Sequence, residues 1–169
     1  GEGHQLFKAD VSDEAQAKTL IDDFVSGCGS IDILVNNAGI AQLHNIEDSS
    51  YSAWIDSWKT IIDTNLLAIA NLSFCAVGYM IKNGGGRIVN VSSRGAFRGE
   101  PNMPAYGASK AALNSLSQSM AKALAKQKIY VGVVAPGFTE TEMATATLTE
   151  AEKENLLKES PFGRMAKPE

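Results

Sequence analysis

Short runs of apolar, mostly β-branched residues alternate along the chain with longer segments whose apolar residues recur every three or four positions. The short runs are typical of buried strands, and they cover residues 5–9, 31–35, 87–91 and 129–134. The longer segments are typical of amphipathic helices, and they cover residues 13–26, 58–82 and 104–126. Because strand and helix alternate, we predict an α/β fold in which right-handed crossovers build a doubly wound parallel sheet with helices on both faces.

Composition then bounds the architecture and the partners. The chain has 169 residues, of which 44% are hydrophobic and 20% charged, and no repeat or linker divides it, so we predict one domain over residues 1–169. A formal charge of −4 with scattered basic residues argues against a nucleic-acid partner. No uncharged apolar stretch of about 18 residues occurs, which argues against a membrane span.

The two cysteines, Cys28 and Cys75, lie far apart, and neither has a second cysteine or a histidine at metal-ligand spacing. We therefore predict neither a disulfide framework nor a metal site. The same reasoning favours a reducing, cytoplasmic compartment.

Polar and turn-forming residues follow each predicted strand. They are Asp10-Val11, Asn36-Asn37-Ala38-Gly39, Ser92-Ser93 and Ala135-Pro136-Gly137. Each cluster taken alone is also explained by a helix cap or a tight turn. Because the carboxyl ends of parallel strands meet at one edge of a sheet, where ligands bind, the four clusters together indicate a binding site at that edge.

Tyr106 and Lys110 stand four positions apart at the start of a predicted helix, so their side chains lie one turn apart on one face. Pro104 in the first turn supports the helix start. A free tyrosine has a pKa of about 10, and a nearby ammonium lowers it by favouring the phenolate. The pair is a candidate for proton transfer near neutral pH. An ordinary surface pair on an amphipathic helix has the same spacing.

Two further polar residues occupy notable positions. Ser93 ends the strand that precedes Tyr106, so its hydroxyl could hold a substrate oxygen. Asn65 interrupts an otherwise apolar helical face that contains Ile61 and Ile69. A buried amide there needs partners, and a neighbouring backbone carbonyl would satisfy it as well as a ligand would.

In their order along the chain, these motifs closely resemble the signature of the short-chain dehydrogenase/reductase family. The motifs are Asn36-Asn37-Ala38-Gly39, Asn65, Ser93, Tyr106-Gly107-Ala108-Ser109-Lys110 and Pro136-Gly137. The match spans residues 4–167 and is most similar to the 3-oxoacyl-carrier-protein-reductase-like or the sugar-alcohol-dehydrogenase-like branch. It implies a Rossmann-like fold and hydride transfer between NAD or NADP and a carbonyl or secondary alcohol. It also implies a homodimer or homotetramer built on the helices at 58–82 and 104–126.

By the same resemblance, Tyr106 is the general acid/base that protonates the forming alkoxide, and Lys110 lowers its pKa and contacts the nicotinamide ribose. Ser93 steadies the carbonyl oxygen, and Asn65 holds a relay water. Such groups stabilise negative charge where it develops on the substrate oxygen. The other implied cofactor contacts are Asp10 and Val11 at adenine, Asn36, Ala38 and Gly39 along the adenosine ribose and phosphate, and Pro136, Gly137, Thr139 and Thr141 around nicotinamide.

The sequence departs from the family pattern at both ends, and at the C-terminal end it stops at Glu169, where a further helix and strand are expected. The glycine-rich turn that receives a pyrophosphate at a helix N-terminus is missing. Gly84-Gly85-Gly86 follows a predicted helix and precedes a strand, which is the order of a helix-ending turn. The second strand, whose end selects NAD or NADP, is missing too. We expect part of a longer protein or a fragment that needs a partner, with open sheet edges and no strong cofactor binding by these residues alone.

A capping box of Thr149 with Glu152 precedes an amphipathic stretch that contains Leu156 and Leu157. The resemblance implies a substrate lid here, so we expect high mobility over residues 139–160 without ligand. A plain surface helix fits the same residues.

Two other functions compete with this interpretation. A serine hydrolase using Ser93 is disfavoured because His4 and His44 both precede it and no Gly-x-Ser-x-Gly elbow surrounds it. A non-catalytic interaction module on the same fold remains an alternative, since fold alone does not determine function. We expect both histidines to be solvated, and Trp54 and Trp58 to be packing residues.

Overall fold

A computed structural model describes residues 3–140, 150–160 and 162–167. The chain divides into two compact units, Gly1–Val134 and Ala135–Glu169. The first unit contains a parallel sheet of three strands, β1 (Ile33–Asn36), β2 (Gly86–Val91) and β3 (Ile129–Val134), in the order β1-β2-β3. Val35 lies opposite Val89, which in turn lies opposite Gly132. Three of the four predicted strands are therefore confirmed.

The prediction of a strand at residues 5–9 is wrong. In the described part of the chain this segment pairs with none of the three strands. A strand forms only where a neighbour completes its ladder of hydrogen bonds, so the apolar pattern alone does not produce one here. Phe7 packs edge-on against Phe24 instead, with the ring centroids 5.9 Å apart, while Leu6 is exposed.

The helices confirm the predicted periodicity, with shifted boundaries. They are α1 (Glu14–Cys28), α2 (Tyr51–Ile62), α3 (Ala68–Lys82), α4 (Gly95–Arg98), α5 (Pro104–Leu124) and, in the second unit, α6 (Glu150–Glu159). A π-helical turn, Asp63–Leu67, joins α2 to α3. The predicted helix at 58–82 begins earlier, because the hydroxyl of Ser50 caps α2 by accepting a hydrogen bond from the Ala53 N–H at 3.2 Å.

The described helices of the first unit that contact the sheet pack on one of its faces. Strand order advances in a single direction, and right-handed crossovers then place successive connecting helices on the same side. The core on this face consists of Ala17, Ile21, Ile31, Leu72, Ala76, Met80, Ile88 and Ile129. On the opposite face Ile33, Val35 and Tyr130 are exposed. The sequence predicts helices on both faces of the sheet, and among the described residues of this unit they cover one face.

The expectation that no apolar stretch is long enough to span a membrane is wrong. The helical stretch Tyr51–Lys82 is long and apolar enough to cross a membrane by length and composition alone. Its apolar residues have another explanation, since Leu72, Ala76 and Met80 are buried in the core against Ile88 of β2. Core helices of globular proteins pass the same test of length and hydropathy.

In the second unit, Thr139 and Ala166 form an isolated parallel bridge. The N–H of Glu140 donates to the carbonyl of Ala166 at 2.8 Å. The capping residue Thr149 and the predicted cofactor contact Thr141 lie outside the described residues. The helix at Glu150–Glu159 agrees with the amphipathic stretch, and the mobility of residues 139–160 stays a prediction.

Candidate active site

Lys110 lies at the centre of the candidate site. It is only 3% exposed although it sits on the second turn of α5. Its ammonium donates to the carbonyl of Val91, the last residue of β2, at 2.8 Å. Burial lowers the pKa of Lys110 below the ordinary lysine value of 10.5. Lys110 is therefore a buried residue, and it does not form an ordinary surface pair with Tyr106.

Tyr106 stands one helical turn before Lys110 and is half-buried. The Lys110 ammonium lies 5.9 Å from the centroid of the Tyr106 ring, which is within the range of a cation–π contact. The pair is thus adjacent in space as its spacing predicts.

Asn65 is wholly buried in the π-helical turn. Its amide oxygen accepts from the N–H of Ile40 at 2.8 Å, and its amide nitrogen donates to the carbonyl of the same residue at 2.9 Å. The nitrogen also lies 3.2 Å from the hydroxyl of Ser109 on α5. Two of the hydrogen bonds of the Asn65 amide are therefore made to the backbone, as one of the two predicted interpretations requires. The backbone partner is a loop residue 25 positions earlier in the chain. Such π turns occur frequently at functional sites.

Gly39 brings these residues together. A Cβ atom at this position would lie 3.3 Å from the Lys110 ammonium and 3.4 Å from the Asn65 amide oxygen. Such contacts are tighter than most side chains allow, so the lack of a side chain lets the backbone after β1 approach both groups. The carboxyl ends of β1 and β2 therefore converge on Lys110, as predicted for parallel strands.

Ser92 and Ser93 connect the end of β2 to the neighbouring helices. The hydroxyl of Ser92 donates to the backbone carbonyl of Lys110 at 3.3 Å. The hydroxyl of Ser93 is half-buried and accepts from the N–H of Gly95 at 3.1 Å. Ser93 thus lies two residues after Val91, where the end of β2 contacts α5.

Asn36 has a buried role that the sequence analysis missed. It is 4% exposed, and its amide nitrogen donates to the Asn90 side-chain oxygen at 2.8 Å and to the Ser73 hydroxyl at 3.2 Å. Asn90 continues the network to Ser117 of α5 at 2.8 Å. The side chain of Asn36 is therefore enclosed between strand and helices. Its neighbours Ala38 and Gly39 are the more accessible residues of the motif.

Asp10 and Val11 precede α1. The Asp10 carboxylate accepts from the N–H and the hydroxyl of Ser12, and these hydrogen bonds lower the pKa of Asp10. Its exposed side chain organises the turn before the helix, while Asp13 is the residue that caps α1. Val11 packs at the margin of the core.

The remaining predicted cofactor contacts belong to the second unit. Pro136 and Thr139 are half-buried, and Gly137 is exposed. The Thr139 hydroxyl donates to the Gly137 carbonyl at 3.4 Å. Within this unit they form a turn next to the Thr139–Ala166 bridge.

The expectation that His44 is solvated is wrong. His44 is 3% exposed because it is enclosed between its own loop, Trp54 and the start of α5. Its ring and that of Trp54 are 5.7 Å apart, as are the rings of Trp54 and Trp58, so the tryptophans are packing residues as predicted. His4 is exposed, as predicted.

Comparison with known proteins identifies the family of the chain. Residues 2–152 match the family model of the short chain dehydrogenases. The chain is 41% identical over 162 residues to 3-oxoacyl-[acyl-carrier-protein] reductase FabG of Thermotoga maritima, covering 94% of this chain and 63% of that protein. The chain thus spans less than two thirds of the relative's length.

Solved structures share the fold. Gluconate 5-dehydrogenase from Burkholderia cenocepacia, in complex with NADP and tartrate, superposes with a TM-score of 0.86 at 33% identity, covering 94% of this chain and 61% of that one. A 7-alpha-hydroxysteroid dehydrogenase complexed with NADH and 7-oxo glycochenodeoxycholic acid superposes with a TM-score of 0.88 at 30% identity, covering 96% and 62%. The fold is therefore the predicted α/β, Rossmann-like one, and the chain belongs to the short-chain dehydrogenase family.

Proposed function

We propose that the protein is an NAD(P)-dependent oxidoreductase that transfers hydride between the nicotinamide cofactor and a carbonyl or secondary alcohol. The observation that carries this proposal is the buried Lys110 ammonium, held 2.8 Å from the Val91 carbonyl and 5.9 Å from the Tyr106 ring centroid. Burying an ammonium is costly, so its retention beside a tyrosine supports a chemical role.

The chain's residues fit a nicotinamide cofactor. An ammonium has three donors, and Val91 accepts from one of them, so Lys110 has the capacity to bind ribose hydroxyls. Gly39 leaves space where a Cβ atom would press on Lys110 and Asn65. When bound, the cofactor supplies or accepts the hydride.

Tyr106 is the proposed proton donor and acceptor for the substrate oxygen. As hydride reaches a carbonyl carbon, negative charge develops on the oxygen, and a phenol proton delivered there neutralises it. Lys110 stabilises the phenolate that remains, since an opposite charge favours the ionised form. The Ser93 hydroxyl donates to the same oxygen and holds it in place.

Asn65 has a proposed supporting role. Its amide joins the Ile40 backbone to Ser109 on α5, and it lies at the same Gly39 contact as Lys110. A water held here would return protons to the Tyr106 and Lys110 pair. Gly39 and Tyr106 both lie near the Lys110 ammonium. All the cofactor contacts are proposed from the family pattern: Asp10, Val11, Asn36, Ala38, Gly39, Tyr106, Lys110, Pro136, Gly137, Thr139 and Thr141.

Replacing Tyr106 by Phe in the full-length protein tests the proposal. The oxidation of NADH or NADPH would be followed with a 3-oxoacyl thioester, a keto-gluconate and a 7-oxo bile acid as substrates, because these represent the substrate classes of the related enzymes. Removing the acid/base hydroxyl is expected to lower turnover by about 10²- to 10⁴-fold with the fold retained. Tyr51→Phe is the matched control, because Tyr51 is 80% exposed at the start of α2. Turnover of Tyr106→Phe equal to that of Tyr51→Phe would contradict the acid/base role of Tyr106, and a wild type without turnover on any of the three substrates would favour a non-catalytic module instead.

We also propose a homodimer or homotetramer that uses the surfaces of α3 and α5. Phe74 on α3 is 83% exposed, and Leu67 and Ile81 nearby are about half-exposed. Exposed apolar patches of this kind mark protein interfaces. Sedimentation of the full-length protein and of Phe74→Asp checks this, with dissociation expected for the variant and an unchanged mass contradicting the interface.

A reducing, cytoplasmic location is proposed from the two free cysteines, of which Cys28 is exposed. The formal charge of −4 argues against a nucleic-acid partner. The burial of Leu72, Ala76 and Met80 in the core argues against a membrane span by α3.

A further inference from the structure

His44 is a buried titratable residue that the proposed chemistry does not use. Both ring nitrogens contact backbone atoms: Nδ1 lies 2.8 Å from the Gln42 carbonyl, and Nε2 lies 3.0 Å from the Ala105 nitrogen. Since the Ala105 N–H can only donate, Nε2 accepts, and Nδ1 carries the proton that Gln42 accepts. These two partners define one neutral tautomer of the ring.

The N-terminus of α5 needs such an acceptor. The first N–H groups of a helix have no partner within the helix, and the N-cap residue, Met103, makes no capping hydrogen bond through its side chain. Ala105 is 0% exposed, so water does not reach its N–H. His44, 61 positions earlier in the chain, supplies the missing acceptor.

The loop that contains His44 is also hydrogen-bonded to Asn65. At one end of this loop, Ile40 exchanges two hydrogen bonds with the Asn65 amide. At the other end, the His44 ring binds the residue before Tyr106, and the His44 N–H donates to the Asn102 carbonyl at 2.9 Å. A single five-residue span therefore connects Asn65 to the start of the helix that carries Tyr106 and Lys110.

We propose that His44 is a positioning residue for this site: through the Ala105 backbone, it sets the location of Tyr106 relative to Asn65 and Lys110. The proposal rests on the oxidoreductase function proposed above. His44 acts through the main chain and not by contact with substrate. Trp54 packs against the ring and keeps it oriented.

Two amide substitutions separate positioning from general packing. A Gln side chain places its oxygen about where Nε2 lies and can accept from Ala105, whereas Asn is one methylene shorter and cannot. We expect His44→Asn to lower kcat roughly 10- to 100-fold, the cost of a small misplacement of a catalytic group, with the KM for the nicotinamide cofactor nearly unchanged. His44→Gln should recover most of kcat.

Asn45→Ala is the control in the same loop, because it removes the local hydrogen bond to the Asp48 N–H without touching α5. Its kcat should remain close to that of the wild type. Wild-type kcat in His44→Asn, or equal losses in His44→Asn and His44→Gln, would overturn the positioning role.

A measurement on the wild-type protein keeps the proposal testable if a variant does not fold. Nuclear magnetic resonance should detect a scalar coupling between the Ala105 amide and Nε2 of His44, and its absence would overturn the contact. The proposed function is judged separately. If the wild type has no turnover, the oxidoreductase function is contradicted. If Tyr106→Phe lowers turnover but His44→Asn does not, only the positioning role is contradicted.

Discussion

At the residue scale, Lys110 shows how burial and function oppose each other. An ammonium is favoured in water and disfavoured inside a protein, yet Lys110 is 3% exposed and donates to a backbone carbonyl. The desolvation lowers its pKa. Burial of Lys110 therefore lowers the stability of the folded state, and it places a positive charge beside Tyr106.

This cost predicts a pH dependence. Below the lowered pKa, Lys110 is charged in both folded and unfolded states, and the full cost of burial is present. Between the lowered pKa and 10.5, the unfolded chain holds a proton that the folded chain has released, so stability rises with pH. Above 10.5 the contribution is constant.

Urea unfolding of wild type and Lys110→Met over increasing alkaline pH measures this effect. The free energy of unfolding of the wild type should increase relative to that of the variant as the pH approaches 10.5. Met approximates the unbranched stem of the lysine side chain but does not titrate, so the contributions of other ionising groups cancel in the difference. Parallel pH curves, or a relative loss of wild-type stability, would contradict the assignment.

At the element scale, the turn from α3 to β2 decides between two interpretations of a glycine cluster. The N–H of Gly85 donates to the Met80 carbonyl at 2.9 Å, and that of Gly84 donates to the Ile81 carbonyl at 3.1 Å. Both glycines have positive φ angles, +84° at Gly84 and +144° at Gly85. These bonds end a helix, as predicted, and the N–H groups are engaged with it rather than directed at a phosphate.

The two glycines should differ in their response to substitution. A Cβ atom at Gly85 would lie 2.7 Å from the Lys128 backbone oxygen, whereas one at Gly84 meets nothing within 4 Å. We expect Gly85→Ala to destabilise by about 3 kcal/mol, from backbone strain and the clash, and Gly84→Ala by about 1 kcal/mol, from strain alone. Chemical denaturation measures both. Equal losses would show that the close approach to Lys128 is unimportant.

At the scale of the whole molecule, the first unit has an incompletely enclosed sheet. β1 and β3 are its two edges, and Ile33, Val35 and Tyr130 lie exposed on the face that carries no helix of this unit. Unpaired edge strands and an exposed apolar face both favour association with other polypeptide segments. The chain also covers only 63% of the FabG relative.

We predict that the 169-residue chain alone does not bind NADH or NADPH in the micromolar range. Neither glycine cluster lies between a strand and a following helix: Gly27 and Gly29 lie on either side of Cys28, the last residue of α1, and Gly84 and Gly85 precede β2, which begins at Gly86. No described turn of the first unit therefore offers a pyrophosphate the backbone amides of a glycine-rich helix start. Fluorescence titration checks this, with the full-length protein as the positive control. Micromolar binding by the short chain would refute it.

The sequence by itself determined the alternation of strands and helices, the family, and the adjacency of Tyr106 and Lys110, because these follow from local periodicity and from motifs in order. Tertiary structure alone decided which apolar run lacks a strand partner, since residues 5–9 match the strand pattern without a neighbour in the sheet. It also decided that Asn36 is enclosed with Asn90 and that His44 caps α5. Burial and hydrogen-bond partners depend on residues distant in the chain, and no local pattern encodes them.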